Sequence, residues 1–341
     1  VNPTSIFHTA SSVLVIKLRA IGDVLLSTPV VENLAREFPH LSIDFLCETF
    51  ASDVVRGNPH INAVLAFDKK KDASLDLIRK VRKRKYDIVI DLFGNPRTAL
   101  VTWLSGAKHR IGFPFRGRAY AYNHRVTPRG GEVHNIEFNL DVLRAFSIPT
   151  PSHDPLFPLD DQSEIFGQRW LSSEGLNGKK IIGINPSGGW NTKRWDLESY
   201  AHLIRELYGR YRFPMLLFWG PGEENDVLSI QNTTGVPVAK IPKTSLKEMG
   251  ALLKHCSYLI SNDSGPMHIA ASLGVPTLGI YGPTDPLLQG PFGEKNLWVR
   301  HEKLDCLACN LTECPIGNIC MKDLPVSTVM DSFERLVEKN R

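Results

Sequence analysis

Ser261-Asn-Asp-Ser-Gly-Pro-Met-His268 follows the short apolar run Tyr258-Leu-Ile260 and opens the apolar stretch Met267 to Leu273, beyond which comes Thr277-Leu-Gly-Ile-Tyr281. The order strand, turn, helix, strand is the unit of a parallel sheet, because parallel strands need a crossover between them. The turn carries Asp263, Ser264 and Gly265, with Pro266 just inside the helix, and these are helix-starting residues. A helix start also presents free N–H groups and partial positive charge, which suits phosphate. Ser264 and Gly265 let a diphosphate approach the backbone closely. The same residues serve equally as an ordinary helix cap.

The alternation extends in both directions. Lys180 to Asn185 reads as a strand, Leu197 to Tyr211 as a helix, and Pro214 to Trp219 as a strand closed by Gly220-Pro-Gly222. Ser245 to His255 and Val326 to Lys339 read as helices. Upstream, the spacing predicts a strand over Val13 to Leu18, a helix over Val24 to Phe38 and a strand over Ile43 to Leu46. A basic helix over Ser74 to Lys85, a strand over Asp87 to Leu92, and helices over Asn95 to Leu104 and Glu132 to Phe146 follow, with Arg110-Ile-Gly112 beginning a loop. Residues 147–160 are proline-dense and read as a linker. The expected fold class is therefore α/β, with two Rossmann-like parallel-sheet domains, 1–158 and 159–325, facing a cleft. The terminal helix, 326–341, is expected to pack on the first domain.

The bulk properties agree with this plan. A chain of 341 residues suits two domains, and 42% hydrophobic with 22% charged residues is the balance of a globular protein. No apolar run reaches the ~18–20 residues of a spanning helix. Val1 to Ser12 lacks the basic-then-apolar pattern of a secretory signal, so a loose leader and a cytoplasmic protein are expected. Residues 1–160 hold 21 Lys+Arg against 16 Asp+Glu, and the remainder 19 against 20, so the basic excess lies in the first half. Such a surface suits an anionic partner or is simply a solvated lysine-rich helix.

No G-x-G-x-x-G follows the first strand and no G-x-x-x-x-G-K-[ST] occurs, which argues against a nicotinamide dehydrogenase and a P-loop nucleotidase. Two other strand-end loops carry chemistry. In Ser187-Gly-Gly-Trp-Asn-Thr-Lys-Arg-Trp195, Ser187, Thr192 and Lys193 can hold phosphates and offset charge on a departing nucleotide diphosphate. In Lys17-Leu-Arg-Ala-Ile-Gly-Asp23, Asp23 can serve as base for an acceptor hydroxyl, or merely cap the following helix.

Taken together, Ile16 to Val24, Lys193-Arg-Trp195, Ser261 to Ala271 and Tyr281-Gly-Pro-Thr-Asp-Pro286 resemble glycosyltransferase family 9, the ADP-heptose:lipopolysaccharide heptosyltransferases. The resemblance runs in order from about Val13 to Glu338. It implies a GT-B fold and inverting, metal-independent transfer from a nucleotide-sugar donor, expected to be ADP-heptose. It implies Asp23 as general base and Lys193 beside the donor phosphates. Asp263, Ser264 and Gly265 would then form the diphosphate turn, with His268 close to the donor. The segments Phe218 to Gly222, including Gly220, and Lys240 to Thr244 resemble the nucleoside-contacting regions. One departure is Asp196, where relatives often have proline; either suits a helix start.

Cys306, Cys309, Cys314 and Cys320 are spaced C-x2-C-x4-C-x5-C within the loop 305–321. Four thiolates so close can form a closed structural zinc site, an iron–sulfur site or two disulfides, or stand as plain thiols. No catalytic cofactor is expected. The basic face, Lys69 to Lys71, Arg79 to Lys85 and Arg110 to Arg129, is expected to receive a lipopolysaccharide core or other anionic glycolipid at the cytoplasmic face of the inner membrane. Arg19, Arg116 and Arg118 are the expected acceptor contacts. Aromatic stacking platforms are sparse there, so nucleic acid is not expected. Two rival functions share these features: a nucleotide-sugar epimerase, which would turn over without acceptor, and a non-catalytic nucleotide-sugar or lipid-binding protein, which would not turn over at all.

Overall fold

A computed structural model describes residues 4–341, apart from the side chain of Arg116. The chain divides into two compact units, the first ending at Pro158 and the second running Leu159–Arg341.

The first unit contains α1 (Ser5–Thr9), β1 (Ser12–Ile16), α2 (Ile21–Leu25), α3 (Thr28–Glu37), β2 (Ser42–Glu48) and β3 (Ala63–Phe67). It continues with α4 (Ser74–Lys83), β4 (Ile88–Asp91), α5 (Pro96–Leu104), β5 (His109–Gly112), β6 (His124–Arg125) and α6 (Asn135–Arg144). Its sheet has the order β3-β2-β1-β4-β5-β6. Val13 of β1 pairs with Ile43 on one side and Ile88 on the other, both parallel. The central strands are apolar without alternation because helices cover both faces of such a sheet.

Local chemistry explains the departures from expectation. The helix expected over Val24 to Phe38 is two helices. The Ser27 hydroxyl donates to the Val24 carbonyl at 2.7 Å and the Thr28 hydroxyl to that of Leu25 at 2.8 Å. Pro29 has no N–H to continue the ladder. The expected loop at Arg110 is strand β5, in which Ile111 pairs with Ile90. The chain start is no loose leader from Ser5 onward: Phe7 is fully buried, its ring 5.4 Å from Phe38 and 5.3 Å from Phe146. The proline-dense linker is tied down as well, since Asn33 exchanges hydrogen bonds of 2.7 and 3.1 Å with the backbone of Ser152.

The second unit begins with α7 (Asp161–Ser173), β7 (Ile182–Asn185), α8 (Leu197–Tyr211), β8 (Met215–Leu217), α9 (Glu224–Thr234) and β9 (Ala239–Lys240). It continues with α10 (Leu246–Lys254), β10 (Tyr258–Asn262), α11 (Gly265–Ser272), β11 (Thr277–Tyr281) and α12 (Pro286–Gln289). It ends with β12 (Leu297–Arg300), α13 (Ile319–Lys322) and α14 (Val326–Lys339). The sheet order is β12-β11-β10-β7-β8-β9. Counted from each unit's own first strand, both sheets read 3-2-1-4-5-6. The terminal helix corrects one expectation: α14 packs within the second unit, against α8, β11 and β12. Its apolar face fits there. Phe333 is fully buried, its ring 5.5 Å from Tyr258 and 5.6 Å from Tyr211, among Ile280, Val299 and Leu207 of the core. Truncating such a ring costs about 3–5 kcal/mol.

In a 3-2-1-4-5-6 sheet the winding reverses between the first and fourth strands, and ligands bind beyond the carboxyl ends of that pair. Here the pairs are β1 with β4 and β7 with β10. All three strand-end loops singled out from the sequence follow one of these four strands.

Candidate active site

In the second unit a buried polar lattice joins the ends of β7 and β10. The Asn185 amide donates to the hydroxyls of Ser261 and Ser264, each at 2.9 Å. The Asn262 amide donates to the Pro186 carbonyl at 2.6 Å, while its oxygen accepts from Tyr200 at 2.8 Å and the Trp195 amide at 3.3 Å. The loop after each strand is thus pinned to the other. Trp195 and Tyr200 are almost fully buried, and their rings meet edge to face at 5.0 Å, which anchors the far end of the first loop. Asp196 caps α8, its carboxylate accepting from the amides of Glu198 and Ser199.

Lys193 and Asp263 belong to these two loops and meet directly. The ammonium lies 2.6 Å from a carboxylate oxygen of Asp263 and 4.5 Å from the centre of the Trp190 ring. Asp263 is 4% exposed and also accepts from the Thr284 hydroxyl at 2.6 Å. Asp263 thus holds the Lys193 ammonium in place. Ser264 occupies the N-cap of α11, and its side chain makes no capping bond. Pro266 lies in the first turn, so the remaining N–H groups at this end have no side-chain cap. Among the described residues, the buried Ser187 hydroxyl has no hydrogen-bond partner, and neither has the side-chain oxygen of Asn185. Leaving such groups unpaired costs about 1–3 kcal/mol each.

Two other expected donor contacts, Thr192 and Gly220, make hydrogen bonds within the second unit. The Thr192 hydroxyl donates to the Leu311 carbonyl at 2.9 Å, tying this loop to the cysteine-rich segment. The Gly220 amide donates to Glu223 at 2.8 Å, and a Cβ there would come within 2.9 Å of that carboxylate. Gly265 opens α11, and His268 is buried on the same helix.

In the first unit, Asp23 lies on α2, beyond β1. One carboxylate oxygen accepts from the Ala20 amide at 2.9 Å, and so caps the helix; the other accepts from the Asn135 amide at 2.8 Å. Beneath it, Lys17 is 5% exposed and donates to the Leu92 carbonyl at 3.1 Å and to Asn139 at 3.2 Å. Burial pulls the Lys17 ammonium below the ordinary lysine range, against the pull of Asp23 and Asp91. Asp91 is fully buried at the end of β4; burial raises it, while the amides of Gly94 and Phe93 and the Tyr122 hydroxyl favour its charged form. Arg118 donates to the Gly94 carbonyl at 2.7 Å, and Arg19 is exposed directly after β1. The Arg116 side chain lies outside the described residues. Asn135, Lys17, Asn185 and Asn262 escaped the sequence reading. Lysine at the end of an apolar strand is a signal for Lys17; the asparagines left none.

The four clustered cysteines lie in the second unit. None is in a disulfide. Burial, then the neighbouring thiols of Cys306, Cys314 and Cys309, pushes the Cys320 thiol up to about 11. Among the described residues, no three His, Cys, Asp or Glu side chains are grouped as a ready metal site.

The model of glycosyltransferase family 9 (heptosyltransferase) matches residues 74–320. The chain is 28% identical over 292 residues to lipopolysaccharide heptosyltransferase 3 of Escherichia coli, covering 81% of this chain and 84% of that protein. Among solved structures, a glycosyl transferase family 9 protein from Veillonella parvula superposes with a TM-score of 0.86 at 26% identity, over 96% of this chain and 98% of that one. The E. coli heptosyltransferase WaaC with ADP gives 0.73 at 21% identity, over 97% and 100%. The two parallel-sheet units are thus of the GT-B class.

Proposed function

This chain belongs to glycosyltransferase family 9, and from that premise we propose that it transfers heptose from ADP-heptose to a lipopolysaccharide inner-core acceptor, with inversion and without a catalytic metal. The observation that carries the donor half is the unpartnered, buried Ser187 hydroxyl in a loop pinned to the uncapped start of α11. A diphosphate supplies the acceptor oxygens that Ser187 and the α11 amides lack. Lys193, held by Asp263, offsets the charge that develops on the leaving group. These fixed positive groups do the work a divalent ion does elsewhere. WaaC with bound ADP, a structural neighbour, supports adenine as the base, with Trp219 and Gly220 at the nucleoside end.

On this reading Asp23 takes the proton from the acceptor hydroxyl as its oxygen attacks the anomeric carbon. The bond from that carbon to the diphosphate breaks, and ADP leaves with the electron pair. Asn135 and the Ala20 amide leave the Asp23 carboxylate oriented before substrate arrives.

The acceptor half of the proposal places the protein at the cytoplasmic membrane face. Trp103 and Tyr120 are 49% and 51% exposed, and their rings meet edge to face at 5.6 Å. Beside them α4, packed on α5, turns Arg79, Lys80, Arg82 and Lys83 to solvent. Aromatic rings beside lysine and arginine suit an anionic lipid surface. No described helix is long and apolar enough to cross a membrane.

The test is release of ADP from ADP-heptose in the presence of truncated lipopolysaccharide cores, without added magnesium. Asp23→Ala should abolish transfer and spare ADP binding. Retained turnover in that variant rejects Asp23 as base, and ADP-heptose turnover without any acceptor rejects the transferase reading.

A further inference from the structure

Residues 301–318, between β12 and α13, form neither helix nor strand. Only Leu304 and Leu307 of this segment pack against the hydrophobic core of the unit. Yet its thiols converge: Cys306, Cys309, Cys314 and Cys320, the last on α13, line a single cavity of about 60 Å³. The backbone between them adopts conformations that side chains disfavour. Ala308 (φ 57°) lies between Cys306 and Cys309, and Asn318 (φ 62°) between Cys314 and Cys320. Left-handed residues persist where the surroundings dictate them. The Asn318 amide donates to the Cys314 sulfur at 3.2 Å, which fixes that side chain toward the cavity's backbone. The segment is also fastened to the strand ends of the sheet. Ala308 and Asn310 donate to the carbonyls of Gly282 and Pro283 just beyond β11, and Leu311 accepts from Thr192 beyond β7.

Four sulfurs with no imidazole or carboxylate among them form a soft ligand set. We propose that Cys306, Cys309, Cys314 and Cys320 close around one divalent thiophilic ion, zinc or ferrous iron, which clamps the 301–318 segment onto the ends of β7 and β11. Closure moves the sulfurs inward from their metal-free positions. Four metal–sulfur bonds form, the thiols release their protons to solvent, and no electron is transferred. A four-thiolate shell leaves no position for substrate, so the ion is structural. This holds whatever sugar the protein transfers.

The full chain, purified without oxygen, is analysed for zinc and iron by mass spectrometry, alongside assays for acid-labile sulfide and for alkylatable thiols. One ion per chain, with no labile sulfide and no disulfide, is expected. The C309S/C314S double variant should lose the ion, and in it protease should cut within 301–318. Should that variant not fold, wild-type chain stripped with a chelator and reloaded with Co²⁺ should show a thiolate-to-metal charge-transfer band, and the reloaded ion should restore protease resistance. A metal-free chain, two disulfides, labile sulfide, an ion retained by the double variant, or no charge-transfer band overturns the proposal.

Discussion

The side-chain amide of Asn135, the first residue of α6, donates to the Asp23 carboxylate at 2.8 Å across 112 positions of sequence. With the Ala20 amide on the other oxygen, it leaves the carboxylate few orientations. Asn135→Ala should lower kcat about 10- to 100-fold through misplacement of the base. KM for the donor should not change, because Asn135 belongs to the other unit. Steady-state kinetics with donor and acceptor varied separately checks this; an unchanged kcat removes Asn135 from the machinery.

Lys193 and Asp263 form a nearly buried ion pair. Replacing either leaves a buried charge uncompensated and should destabilise the fold, while Lys193 alone is expected to hold ADP directly. Lys193→Met should weaken ADP binding by about 10- to 100-fold, a loss of roughly 1.5–3 kcal/mol for a charged hydrogen bond. Asp263→Asn leaves the lysine without its counter-charge and should destabilise the fold by about 3–5 kcal/mol. Titration calorimetry with ADP and thermal unfolding separate the two effects. Equal melting losses in both variants with unchanged ADP affinity would remove Lys193 from the donor site.

His109 and His124 face each other across β5 and β6, with ring nitrogens 3.0 Å apart. Burial, then the partner ring and Lys108, pulls His109 below the ordinary imidazole value; burial, then Arg110, does the same to His124. Asp87 opposes the shift at His109. Below about pH 6.5 the unfolded chain binds more protons than the folded one, so acid favours unfolding. The contribution is complete above about pH 6.5 and is lost as pH falls through the folded values. Melting curves from pH 7.5 to 5 should show the decline, and His124→Phe should flatten it. An identical slope in the variant assigns the decline to other groups.

Trp103→Ala should reduce co-sedimentation with vesicles of anionic lipid several-fold while leaving ADP affinity unchanged. Binding should also fall with added salt, because the Debye length is about 10 Å at 0.1 M. Vesicle binding indifferent to both would mean that this face meets something else.

The central strands were legible because burial on both faces makes them apolar throughout, as in Val13 to Ile16 and Thr277 to Tyr281. Helices α8 and α14 run over the residues expected, since each carries a broad apolar stripe. Strands near the sheet edges were not legible. β3 is five residues, β6 and β9 are two each, and their side chains are mostly half-buried. α9 escaped because its apolar side is little more than Val227 and Ile230. The site divides in the same way. Hydroxyls, glycines and a lysine just after a strand announce themselves locally. Asn135 and Asn262 take their meaning from partners 112 and 62 residues away, which no local pattern encodes.

A ligand that satisfies the buried Ser187 hydroxyl, which has no hydrogen-bond partner among the described residues, should raise the melting temperature. Such a ligand binds the folded chain alone and shifts unfolding by RT ln(1 + [L]/Kd), about 2.7 kcal/mol at a hundredfold excess over Kd. Heating the protein with a series of nucleotides therefore ranks sugar donors before any acceptor is in hand, and Ser187→Ala should compress that ranking.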